Sequence, residues 1–181
     1  FAGTSNVGIS TSFTNIGVIT GTTSGTNTLT GANLASTWTI SAANAGTYTS
    51  TNSLTFSAFQ SVVGGTNTDS FAFTGGSVAT VDGGANTNTL NYGALSSTLN
   101  IALTGLGSAA GFAGTSNVGI STSFTNIGAI TGTTSGTNTL TGANLASTWT
   151  ISGTNAGTYT STNSLTFSAF QSVVGGTNTD S

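Results

Sequence analysis

The acid–base chemistry of this chain rests on three side chains. Asp69, Asp82 and Asp180 are its only carboxylates, and its 181 residues include no Glu, His, Cys, Lys or Arg. Asp69 and Asp82, 13 residues apart, are the one pair close enough in sequence to share a site. General acid–base work needs such a pair, with proton affinities pushed apart. A Ser or Thr nucleophile needs a neighbouring base, and only these aspartates offer one. Zinc has no ligand set without Cys, His or Glu. The expectation is a protein that is not an enzyme and holds no resident cofactor. One further chemistry stays open to Asp69, Asp82 and Asp180. Calcium takes about six to eight oxygens, several from carboxylates.

The setting of Asp69 raises the calcium question directly. Val62–Phe71 reads VVGGTNTDSF, and all but its last residue returns at Val173–Ser181. Gly64, Gly65, Asp69 and Phe71 stand in the order of the calcium nonapeptide G-G-x-G-x-D-x-U-x, with Asn67 in place of the third Gly. A second stretch aligns Gly83, Gly84 and Leu90, with Asn86 for the Gly and Asn88 for the Asp. SGTNTLTG from Ser24 is a fainter match, with Leu29 where the Asp would stand. The order of STWTISAANAGT and VDGGANTNTLNY resembles that in long Thr/Gly/Asn-rich repeats. The chain thus resembles large secreted bacterial repeat proteins related to RTX-type (calcium nonapeptide) surface proteins and adhesins, with degenerate calcium motifs.

The resemblance implies a parallel β-roll or β-helix on an extracellular, repeat-built protein. The departures bear on the metal. In the family, tandem nonapeptides bring aspartates of adjacent turns together, whereas here the motifs are not tandem and two of the three lack the Asp. Asp69, Asp82 and Asp180 are therefore calcium candidates against a second reading, an Asp bonded to the backbone of its own turn. A calcium turn converted to a neutral one is the expectation. Asn tolerates the left-handed backbone that Gly otherwise supplies. Its amide both donates and accepts, so stacked Asn residues can bond along an axis. The expected ladder residues are Asn27, Asn67 and Asn86, with Asn138 and Asn178 as copies.

The elements that must position these residues repeat. Phe1–Ser70 returns as Phe112–Ser181, an offset of 111 residues, with only Val18, Ala42 and Ala43 replaced, by Ala129, Gly153 and Thr154. Residues 1–111 read as one full unit and 112–181 as part of a second, within one continuous solenoid. The chain starts and stops inside the unit, which is read as a segment of something longer. Recurring G-[TA]-N-T tetrads suggest about five coils per unit, a rise of roughly 24 Å at ~4.8 Å per strand. Trp38 and Ile40 alternate onto one face in STWTIS. Leu54 and Phe56 do so in SLTFSAF, joined by Phe59 after a slip, and Leu99, Ile101 and Leu103 share another face. Gly and Asn clusters bound the runs. GANLAST and SAANAGT are candidates for short helical turns. The fold class expected is all-β, a parallel β-solenoid; a flat amyloid-like stack is the alternative.

Composition narrows the partners. Only 2% of residues are charged, against about a quarter in globular domains. Without Lys or Arg, phosphate neutralisation is unavailable, which argues against nucleic acid and anionic lipid. No apolar run is long enough for a membrane span. Strand edges without Lys or Pro are open templates, and low charge removes mutual repulsion. The partner expected is the chain itself, end to end and side by side, in an extracellular or cell-surface filament, matrix or layer. Its many Ser and Thr are acceptors for O-linked sugar. The alternative is an adhesin stalk or a module binding ice or glycan. Thr-x-Thr elements suggest the ice binder, although their spacing is irregular; Trp38, Tyr48, Trp149 and Tyr159 suggest the glycan binder, against a core role.

Overall fold

The computed structural model describes all of Phe1–Ser181 and contains eighteen β-strands and no helix. The first nine are β1 (Val18–Thr20), β2 (Thr28–Thr30), β3 (Ser36–Ala42), β4 (Ala45–Thr49), β5 (Ser53–Ser57), β6 (Ser61–Val63), β7 (Asp69–Phe73), β8 (Val78–Asp82) and β9 (Thr89–Asn91). They are followed by β10 (Asn100–Leu106), β11 (Phe112–Ser116), β12 (Ile120–Ile127), β13 (Ala129–Thr131) and β14 (Thr139–Thr141). The last four are β15 (Thr148–Gly153), β16 (Ala156–Thr160), β17 (Ser164–Ser168) and β18 (Ser172–Val174). No helix is long and apolar enough to cross a membrane. SAANAGT, a helical candidate by sequence, is the turn between β3 and β4, with Asn44 at φ 56°. GANLAST is likewise non-helical, an irregular link between β2 and β3.

The strands form two open sheets. One has ten strands in the order β1-β5-β4-β3-β7-β9-β13-β17-β16-β15, the other eight in the order β18-β14-β10-β11-β12-β8-β6-β2. Both are mixed, which departs from the purely parallel pairing expected. Pairs such as β3–β7, β7–β9 and β9–β13 are parallel. Three-stranded meanders interrupt them: β3–β4–β5 and its copy β15–β16–β17 in one sheet, and β10–β11–β12, which spans the join between the units, in the other. Short Gly- and Asn-bearing links let successive strands reverse locally, and antiparallel neighbours need only such links.

Period-2 alternation brings the apolar residues together. In the ten-stranded sheet an inward row runs Tyr48, Trp38, Phe71, Leu90, Ile130, Phe167 across consecutive partners. In the other, Leu29, Val62, Val81 and Phe124 align likewise. The inward residues of both sheets join one cluster of 27 buried residues. Trp38 stacks on Phe71 at 5.8 Å and 15°, and Phe73 on Tyr92 at 4.9 Å and 8°. Such pairs add about 0.5–1.5 kcal/mol each beyond burial. The slip in SLTFSAF is Ala58, held at φ 61°, which returns Phe59 to the core.

The sheets share one period. β1 and its sequence copy β13 lie six positions apart in the ten-stranded order, as do β3 and β15. In the eight-stranded order β2 and β14 are six apart, and so are β6 and β18. The unit thus advances six strands, not about five, because each meander adds two strands to its sheet within one pass of the chain.

Candidate functional site

The corners between the sheets hold the polar residues singled out by sequence. Asp69 opens β7 and is fully buried. One carboxylate oxygen accepts the Ser36 hydroxyl; the other accepts the Gly65 N–H at 2.9 Å. Burial raises its pKa above the usual carboxylate range, opposed by the bonds from Ser36 and Gly65. Gly64 has to be Gly, because a Cβ there would strike the Gly83 carbonyl oxygen and the Asp69 carboxylate. Gly83 meets the same constraint one turn on, against Asn88 and the Asn126 carbonyl.

The network continues through amides. The backbone N–H of Asp69 donates to Asn88 Oδ1 at 2.8 Å. Asn88 Nδ2 donates to the carbonyls of Ala85 (3.0 Å), Asn86 (3.3 Å) and Asn126 (3.2 Å). Asn126 Nδ2 donates to Asp82 Oδ1 at 2.7 Å, and Asn126 Oδ1 accepts the N–H groups of Ala109 and Ala110 at 2.8 and 3.2 Å. Asp82 Oδ1 also accepts the Gly84 N–H at 2.9 Å. Asp69 and Asp82 therefore belong to one polar chain, linked through Asn88 and Asn126. They are engaged by different donors and are not joined with a third acidic, His or Cys residue. Asp180 repeats the Asp69 arrangement with the Ser147 hydroxyl.

The Asn ladder takes another form from the one expected. Asn27 Nδ2 donates to the carbonyls of Thr22 (2.8 Å) and Ala58 (2.9 Å), and its backbone N–H to Gln60 Oε1 at 2.8 Å. Asn138 repeats this with Thr133, Ala169 and Gln171, and adds a bond from the Leu99 N–H to its Oδ1 at 3.1 Å. Asn67 Nδ2 donates to the Asn33 carbonyl at 3.1 Å and Asn86 Nδ2 to the Thr66 carbonyl. Asn178 accepts only the N–H of its own neighbour, Thr179, at 3.1 Å. The amides thus bridge turn to turn through backbone groups rather than bonding to one another. Backbone N–H and C=O at a corner are the groups a sheet ladder leaves unpaired, and a buried one needs a partner.

Sequence reading missed four members of this network: Asn88, Asn126, Gln60 and Gln171. Asn88 stood in the Asp position of the nonapeptide pattern, and Gln60 and Gln171 are the only glutamines in the chain. Asn126 carried no signal, since its neighbours Ala109, Ala110 and Asp82 come from distant sequence. The aromatics considered for sugar stacking face inward. Trp38, Tyr48 and Tyr159 are buried, and Trp149 is half-buried at the end of its sheet.

The outer face of the ten-stranded sheet is lined with hydroxyls. Thr49, Thr37, Ser70 and Thr89 are successive partners in one row, and beyond Ala129 it continues through Thr166, Thr158 and Thr150. The spacing that looked irregular in sequence becomes regular because the meander aligns TWT with TYT. A comparison with protein-family models, curated proteins and solved structures finds no match.

Proposed function

We propose that this chain is a structural segment of an extracellular, self-associating filament, matrix or surface layer, built as a β-solenoid of 111-residue units. The observation that carries the reading is the common six-strand period of the two sheets, which coincides with the sequence repeat. A body whose sheets advance equally per unit adds units by translation along one axis, as solenoids do. Its terminal strands β1, β2, β15 and β18 have unpaired edges, and the chain has no Lys or Pro to blunt them. The corner amides and buried aspartates then act mechanically: they satisfy turn backbones between successive coils, with no catalytic or metal role. Lacking Lys and Arg, the material resists trypsin-like proteases, which suits an exposed matrix. Electron microscopy with light scattering across concentration tests this. Fibres with an axial repeat of roughly 29 Å, six strands at ~4.8 Å, are expected. A monodisperse particle at every concentration removes self-association and favours an adhesin stalk.

A second reading rests on the outer hydroxyl face. Its rows space hydroxyls by about 4.8 Å between strands and about 6.8 Å along them, a surface suited to ordering water or holding a polar glycan. A thermal-hysteresis measurement on the purified chain tests the ice-binding form of it; freezing at the equilibrium point rejects that form.

A further inference from the structure

The internal repeat makes this chain its own control. Most residues of the unit occur twice, and several strands are flanked on both sides in one copy and at a sheet end in the other. In the first copy β3 pairs with β7, and β6 with β8. In the second copy β15 and β18 terminate their sheets. Ile40 is 0% exposed and its copy Ile151 is 60% exposed; Val62 is 0% and its copy Val173 is 37%. The identical side chains are apolar in both places, so the difference is a missing neighbour, not a different chemistry.

β7 and β8 cover the first copy. Phe71 and Phe73 of β7 lie opposite Trp38 and Ile40, and β8 sets Val81 opposite Val62. The second copy already starts the same register. Asp180 bridges Ser147 as Asp69 pairs with Ser36, and the Trp149 N–H donates to the Ser181 carbonyl at 2.7 Å. A strand continuing that line sets its next alternate residues against Trp149 and Ile151.

We infer that the end bearing Trp149, Ile151, Val173 and Val174 is a strand-docking surface for an uncharged segment with the chemistry of residues 71–81. That segment is a Phe-Ala-Phe strand, a Gly-Gly corner and a Val-Ala-Thr-Val strand. Its first strand adds in parallel to β15 and its second to β18, so that one ligand closes both sheets. Backbone bonds supply affinity and the alternating aromatic and aliphatic side chains supply selection. Phe stacks on Trp149 as Phe71 stacks on Trp38 at 5.8 Å. Specificity comes from the aromatics and from the apolar face around Ile151, since a carboxylate placed against Ile151 would be buried unpaired. The inference deepens the solenoid reading and rests on it.

Hydrogen exchange on the 181-residue chain tests it, with a synthetic peptide of residues 71–81 as probe. A second protein carries residues 71–111 appended after Ser181. Slowed exchange at Trp149–Ile151 and Ser172–Val174, approaching that of Trp38–Ile40 and Ser61–Val63, is expected with the peptide and in the extended chain. A peptide with Asp in place of both Phe residues should leave exchange unchanged. Protection in the extended chain alone still upholds the surface, with docking confined to a covalently continuous segment. No added protection in the extended chain overturns the proposal, as does equal protection by the Asp-substituted peptide. Fibres that form without protecting these amides overturn it while leaving the scaffold reading intact. Protection without any fibre upholds it and removes self-association.

Discussion

Asn88 accepts the backbone N–H of Asp69 on its side-chain oxygen at 2.8 Å, across 19 residues of sequence. The same amide donates to three carbonyls, one of them Asn126 in β12. One fully buried side chain thus ties together three passes of the backbone. Asn88→Ala orphans the Asp69 N–H and loosens those carbonyls, at about 1–3 kcal/mol for each buried group left unpaired. Asn88→Asp keeps the acceptor but removes the donors and adds a buried charge, so it should be no better. Urea-denaturation midpoints measure both; an unchanged midpoint for Asn88→Ala would mean that the corner network contributes nothing.

The buried Asp69 sets a pH dependence with a definite sign. Burial raises its folded pKa above 3.8, its ordinary value. The folded chain therefore keeps this proton to higher pH than the unfolded chain does. The stabilisation is complete below the unfolded value and is lost as pH rises through the raised folded one. Asp69→Asn should abolish that decline and match or exceed wild-type stability above it. An amide still accepts from Gly65 and can donate to the Ser36 oxygen, as Asn already serves at the corresponding corner position 88. Thermal melts of both proteins from below pH 3.8 up to neutrality check it; parallel curves would contradict the assignment to Asp69.

The two copies of one isoleucine should respond differently. Ile40→Ala removes a fully buried side chain and should cost about 2–5 kcal/mol. Ile151→Ala changes an end-exposed copy and should stay within about 0.5 kcal/mol. Equal costs measured by chemical denaturation would mean that the end bearing Ile151 is covered in solution.

Calcium should leave stability unchanged. The oxygens of Asp69 are taken by Ser36 and Gly65, and Oδ1 of Asp82 by Gly84 and Asn126. Melting temperatures in excess chelator and in millimolar calcium are expected to coincide. A Tm that climbs with the logarithm of calcium concentration, as linkage requires for a native-state ligand, would restore the metal site.

Local chemistry alone was enough to read much of this protein. Alternation placed Trp38, Ile40, Leu54, Phe56, Ile101 and Leu103 in a core, and even the slip before Phe59 was visible, because a period-2 pattern needs only its own residues. The recurring tetrad singled out Asn27 and Asn138, but not the carbonyl and glutamine partners they bond. Strand direction was not. Whether SAANAGT turns back on itself depends on which neighbour the next strand meets, and the meanders changed five expected coils into six strands per unit. Gln60, Gln171 and Asn126 bond to backbone groups some 16 to 33 residues away, and Asn126 also to the Asp82 side chain 44 residues away, so nothing beside them in sequence marked them. Residues 1–17 and 112–128 are identical in sequence. The first stretch has a single bridge, Gly3 to Phe13, whereas the second forms β11 and β12 against β10 and β8. Composition and alternation made the stretch able to be strand. Only the presence of partners for its N–H and C=O groups decided that it became one.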